Sequence, residues 1–182
     1  MLRGLAAILA TVALGAGGLV ACGDDDDDGP STFNEEGFPF TFEYPGDFEL
    51  TDDVSFDQSL GAGSDEDISL SLDDDNGIIL QRFTLATEVD EAKLPLAKRE
   101  FDALLEQADV DAPPGQPGET AGYPSLEYES VALTVPEEGE SRLVALFDGN
   151  QEYLLNCQST PDDREQVDAA CEQMLETLSP TE

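Results

Sequence analysis

The chain holds no histidine, three cysteines, and 42 Asp and Glu against 7 Lys and Arg. Those residue types limit the chemistry. Without histidine, neither a Ser-His-Asp nor a Cys-His arrangement can be assembled, and the commonest metal ligand is missing. No glycine-rich phosphate loop follows a strand and opens a helix. Carboxylates are abundant, and a spaced pair of them is what glycoside hydrolysis needs. Sugar sites, however, are commonly built on aromatic platforms, and Trp is absent. The expectation is a non-enzyme with no catalytic residues, no metal site and no cofactor. A carboxylate-based hydrolase is the exception that spacing leaves open. Two aspartate runs invite a calcium reading. The run from Asp24 to Asp28 sits beside Gly23, Gly29 and Pro30. Adjacent carboxylates on a flexible stretch bind calcium only loosely, because the ion wants ligands converging from a folded loop. In Asp73-Asp74-Asp75-Asn76-Gly77 the EF-hand spacing fails, since Leu72 and Phe83 stand where ligating carboxylates are needed.

The cysteine with the most informative surroundings is Cys22. A short head with one positive charge, Arg3, precedes an uncharged stretch from Leu5 to Ala21 rich in Leu, Ala and Val. Positive head, apolar middle and small residues at the end make a secretory leader. The stretch is short for a permanent span, which needs roughly 20 apolar residues, and Gly15, Gly17 and Gly18 weaken a helix near its end. The stretch closes on Leu19-Val20-Ala21-Cys22. This resembles the bacterial lipobox, an aliphatic residue and two small or branched ones before Cys. The resemblance implies a diacylglycerol on the Cys22 sulfur and cleavage just before it. Each buried methylene contributes about 0.8 kcal/mol, so two or three chains on one residue hold a protein firmly where a single chain binds reversibly. The alternative is an ordinary cleaved leader with a coincidental Cys. The expected address is the extracytoplasmic face of a membrane, with the lipid on Cys22 as anchor.

The expected organisation is a leader over residues 1–21, an acidic tether over 22–37, one domain over 38–178 and a tail over 179–182. Like charges in a row repel and stay extended, and Gly and Pro add breaks, which suits a tether. The net charge of -35 argues against nucleic acid and against electrostatic binding to anionic lipid, since both need Lys and Arg. It has two readings, a well-solvated surface or adaptation to high salt, where screening relieves self-repulsion. Export would place Cys157 and Cys171 in an oxidising compartment, where disulfides persist. A staple between them closes a loop of about 15 residues and contributes roughly 3 kcal/mol. Two buried free thiols and a redox pair are the rival readings.

Around these residues the pattern is mixed. Phe38, Phe40, Phe42 and Tyr44 alternate as a strand does, and Pro45-Gly46 turns the chain. Residues 54–60 are a second candidate strand. Ile68, Leu70 and Leu72 alternate with Ser69 and Ser71, Asn76-Gly77 follows, and an apolar run covers 78–85, which predicts a hairpin turning at Asn76-Gly77, since both residues tolerate positive φ. Leu94, Ala97, Phe101, Leu104, Leu105 and Ala108 recur at helical spacing over 90–108, with Pro95 tolerable only in the first turn. Lys93, Lys98 and Arg99 lie there, either as a docking patch for an acidic partner or as a solvated face pairing with nearby acids. A Pro- and Gly-rich loop over 109–119 follows. Strands are expected over 125–134, then a hairpin of 141–147 and 151–158 around Asp148-Gly149-Asn150, central in the sheet. Thr160 as cap and Pro161 at the first helical position open a closing helix with Val167, Cys171, Met174, Leu175 and Leu178 as its apolar stripe.

The segments Phe40-Thr41-Phe42-Glu43-Tyr44-Pro45, Ala121-Gly122-Tyr123-Pro124 and Phe147-Asp148-Gly149-Asn150-Gln151-Glu152-Tyr153, in that order, resemble the PsbP-like superfamily, which includes small bacterial lipoproteins of the LpqN and DcrB types. The resemblance spans residues 38–178. It departs where many relatives carry Trp after the Tyr-Pro turn and this chain has Phe48. It implies an α+β fold, a mostly antiparallel sheet between helices, and a scaffold or accessory binding role with no common reaction. Two functions follow as expectations: a membrane-tethered binding or accessory module for an envelope protein, or a carrier of a small apolar or lipid ligand held between sheet and helix. A weaker third is an acidic surface that buffers cations.

Overall fold

A computed structural model describes residues 29–51, 63–133 and 138–181. The lipobox residues Leu19, Val20, Ala21 and Cys22, the aspartate run, and the strand expected over 54–60 lie outside the described residues. The fold is α+β. The strands are β1 (Ser31–Phe33), β2 (Phe40–Tyr44), β3 (Glu49–Thr51), β4 (Glu66–Ser71), β5 (Gly77–Thr84), β6 (Gln116–Thr120), β7 (Tyr123–Ala132), β8 (Glu140–Asp148), β9 (Gln151–Ser159) and β10 (Ser179–Pro180). The helices are α1 (Leu94–Gln107), between β5 and β6, and α2 (Arg164–Thr177), between β9 and β10.

Seven strands form an antiparallel sheet in the order β3-β4-β5-β9-β8-β7-β6, so the apolar β9 occupies its centre. One face packs on α2 and on a small sheet of order β1-β2-β10. The other face packs on α1. Strand alternation makes the division. In β9, Tyr153, Leu155 and Cys157 enter the α2-side core, while Leu154 enters the α1-side core. In β8, Val144 and Leu146 go one way and Leu143, Ala145 and Phe147 the other.

The α2-side core is aromatic. The alternation in β2 buries Phe40, Phe42 and Tyr44. Phe33 stacks on Phe42 with centroids 4.4 Å apart, and Phe40 meets Tyr153 edge-on at 5.1 Å. A fully buried Phe contributes about 1.5–3 kcal/mol. That explains how a three-residue β1 holds its place: Phe33 is its anchor, and Thr41 Oγ1 donates to the Phe33 carbonyl at 2.5 Å. Ser31–Phe33 and Ser179–Pro180, which the sequence assigns to tether and tail, therefore belong to the fold, each pairing with β2. Between β9 and α2, Cys157 and Cys171 are joined in a disulfide, with Cα atoms 6.2 Å apart.

Three local expectations are corrected. The β4–β5 hairpin exists, but neither Asn76 nor Gly77 has positive φ. Gly77 already pairs with Ser71, and the turn is closed by Asp73, whose Oδ1 accepts the N–H groups of Asp75 and Asn76 at 2.8 and 2.9 Å. Asn76 is buried instead, accepting the Thr160 N–H at 2.7 Å and donating to Asp163 at 3.2 Å. Thr160 is thus engaged with Asn76, the residues 161–163 form a turn, and α2 starts at Arg164. Finally, the loop over 109–119 ends in a strand, β6. It turns into β7 through Ala121 and Gly122, whose φ values of 52° and 87° are those of a two-residue hairpin turn. Helix α1 starts at Leu94 with Pro95 in its first turn, as the spacing predicts.

Candidate functional site

Helix α1 is held over the β6–β7 side of its sheet face. Leu94 and Leu105 are buried against Leu126, Leu143 and Phe147. Phe101 stacks on Tyr128 at 5.0 Å, and the Tyr128 hydroxyl donates to Asp102 Oδ1 at 2.8 Å. Lys98 donates to the other Asp102 oxygen at 2.6 Å. Burial pushes the Tyr128 phenol up, and the Asp102 carboxylate beside it pushes it further. At Asp102, burial pulls the carboxyl up, but the bonds from Lys98 and Tyr128 outweigh it and hold it below its ordinary value. Gly115 is buried where the phenol end passes; a Cβ there would lie 2.2 Å from Tyr128 Cζ. Of the three cations read as a patch, Lys98 is committed to Asp102 and Lys93 donates to the Glu88 carbonyl at 2.9 Å, while Arg99 is exposed.

Because α1 leans toward β6 and β7, its other flank does not seal onto β5 and β9. A groove of about 540 Å³ runs there. Phe83 and Leu85 form one wall, Phe101, Leu104 and Leu105 the other, and Leu154 the floor. Leu104 is 61% exposed at the rim, an unusual place for a residue on the apolar stripe of a helix. The floor also carries one carboxyl, Glu152. Its cross-strand neighbours are Phe83 on β5 and Phe147 on β8. Burial among them pushes its carboxyl up to about 7, because a charge withdrawn from water without a partner is costly. Glu152 is the single titratable residue among the described residues lining the groove.

The same sheet face turns polar beyond the groove. Ser69, Gln81, Asn156 and Gln158 are buried there, with Ser141 donating to Asn156 Oδ1 and Gln81 Nε2 donating to Asp67 at 3.2 Å. A second cavity, of about 370 Å³, lies between β8 and α2 and is lined by charged groups including Glu129, Glu140, Arg142 and Arg164. Its arginines are paired, Arg164 with Glu140 at 3.1 Å and Arg142 with Glu127 at 2.5 Å. Among the described residues no group of three or more Cys, Asp or Glu is placed to hold a metal ion, and no helix is long and apolar enough to cross a membrane.

Sequence reasoning assigns no role to Glu152. The signal was available in the register: once Gly149-Asn150 turns the β8–β9 hairpin, Glu152 must face Phe147. An acid opposite an aromatic ring in the middle of a sheet is out of place unless something calls for it. The groove itself depends on how far α1 leans, which no local pattern encodes.

The α+β fold is similar to that of solved PsbP-type structures. The solution structure of cyanobacterial PsbP (CyanoP) from Synechocystis superposes with a TM-score of 0.57 at 13% identity, covering 92% of this chain and 99% of that one. LpqN, involved in cell envelope biogenesis of Mycobacterium tuberculosis, gives 0.53 at 13% identity, covering 86% and 94%. A protein from Bacteroides thetaiotaomicron gives 0.53 at 13% identity, covering 85% of this chain and 49% of its own length. No family model matches the sequence, and no curated protein does. At such identities the likeness is one of fold.

Proposed function

We propose that this chain is an extracytoplasmic lipoprotein, anchored through Cys22, whose PsbP-like domain serves as an accessory binding module of the cell envelope. The leader and Leu19-Val20-Ala21-Cys22 support the anchor. The fold shared with LpqN, an envelope biogenesis protein, supports the setting. The observation that carries the binding role is the groove beside α1, lined by apolar side chains and rimmed by the exposed Leu104. It favours the alternative reading, a carrier of a small apolar ligand, because mostly apolar pockets of several hundred Å³ with a few placed polar groups, here Thr84, Gln107 and Glu152, are what such ligands fill. The test is fractionation of a bacterial host expressing the full chain beside its Cys22→Ala form, with intact-mass spectrometry of each. The wild-type chain is expected in the membrane fraction, cut before Cys22 and carrying acyl mass. The variant is expected to lose that mass and leave the membrane. A wild-type chain with an unmodified sulfur or a retained leader overturns the anchor.

A further inference from the structure

The groove contains a contradiction that its occupant must resolve. Its walls are apolar apart from Thr84 and Gln107, yet its floor presents a carboxyl with no cation among the residues that line the groove. From β5 the group facing Glu152 is Phe83, and from β8 it is Phe147. From α1 the groove receives Leu104, Leu105, Gln107 and Ala108, none of which titrates. Arg82 and Asp148, the nearest charges along the neighbouring strands, pair with Tyr153 and Gln151 and so point to the opposite face. Burial is the cause that raises the Glu152 carboxyl, with no charged neighbour contributing. Leu104, Leu105 and Gln107 belong to the last turn of α1, the negative end of the helix dipole, and that turn carries no basic residue.

We infer that the groove takes a cationic amphiphile, its alkyl chain along Leu85, Leu104 and Leu154 and its protonated amine against the Glu152 carboxylate. The inference rests on the small-ligand reading above and names its ligand chemistry. An anionic head group would meet like charge at Glu152 and at the helix end, on a chain whose net charge is -35. A neutral head group can donate a hydrogen bond to the carboxylate but brings no counter-charge once the group ionises, which an ammonium group does. Binding then follows the ionised fraction of Glu152. With the carboxyl titrating at about 7, that fraction rises about tenfold between pH 6 and pH 8, and the apparent affinity for the amine rises with it.

Calorimetric titration of the whole mature protein tests this, with decylammonium, decanol and decanoate as probes below their aggregation limits. Salt at about 0.15 M suppresses adsorption of the amine on the acidic surface. Decylammonium is expected to bind at one site, about tenfold more tightly at pH 8 than at pH 6; decanol is expected to bind without that pH dependence, and decanoate most weakly. Glu152→Gln is expected to abolish the pH dependence and the preference for the amine while keeping decanol. Leu104→Ser, at an exposed position that does not threaten folding, is expected to weaken amine and alcohol alike. Equal affinity for amine and alcohol, or a preference for the amine that survives Glu152→Gln, overturns the cationic assignment and leaves the small-ligand reading standing. Failure of all three probes to bind overturns both.

Discussion

Replacing Glu152 by Gln removes a carboxyl whose ionisation the fold resists, and the consequence for stability has a definite sign. The native carboxyl titrates at about 7, against an ordinary value of 4.5. Between those values the folded chain holds a proton that the unfolded chain has released. Stability contributed by this group is therefore fully present below about pH 4.5, falls as pH rises through the window, and is gone above about pH 7. The interval is worth about 3 kcal/mol, and partial solvation of the half-buried carboxyl brings it to about 2 kcal/mol. Glutamine has no such penalty. The many other carboxylates are common to both proteins and cancel when one is subtracted from the other. The Gln form is thus expected to gain on the wild type by about 2 kcal/mol between pH 4.5 and pH 8, on top of any constant offset from the amide. Urea unfolding followed by far-ultraviolet circular dichroism reads this out, since the chain has no Trp to report by fluorescence. With a slope of about 2 kcal/mol per molar urea, the difference in midpoint should widen by about 1 M across that range. A difference that stays constant with pH, or narrows as pH rises, would refute the idea that Glu152 is held away from water.

Two further outcomes follow from the packing. Gly115→Ala places a methyl group 2.2 Å from the Tyr128 ring, which is pinned by Phe101 and Asp102; a loss of about 1–3 kcal/mol is expected in thermal melts, and an unchanged midpoint would show that the ring can move aside. Removing the disulfide with Cys157→Ala and Cys171→Ala is expected to cost about 3 kcal/mol by releasing the loop between β9 and α2. A thiol assay on denatured, unreduced mature protein should find neither Cys157 nor Cys171 free, and two titratable thiols would contradict the bond.

Much of the architecture is legible where side chains repeat at a fixed interval. The alternation of Phe40, Phe42 and Tyr44 gives β2 and the face it buries, and the spacing of Leu94, Ala97, Phe101 and Leu105 gives α1. The hairpin of β8 and β9 is marked by its glycine, with φ of 60° at Gly149. What stays hidden depends on partners far along the chain. Ser31–Phe33 is too short to show a period, and only Phe42, brought beside it by folding, makes it a strand. Asn76 reads as a hairpin residue until Thr160 arrives to occupy its side chain. Glu152 reads as one polar residue in a strand, and its meaning comes from Phe83, from a part of the chain well before it. The groove is hidden for the same reason: it is space left by a helix that packs to one side.

The strand β2 has its two neighbours at opposite extremes of the described chain. Phe33 pairs with Phe42 on one side, and Ser179 pairs with Thr41 on the other. The small sheet is thus a clasp that shuts only when Ser179–Pro180 reaches β2 from the far side of α2. Contacts so remote in sequence are slow to form. The β1–β2 half of the clasp can therefore form early, while the edge beside Thr41 closes only after β9 and α2 have been made.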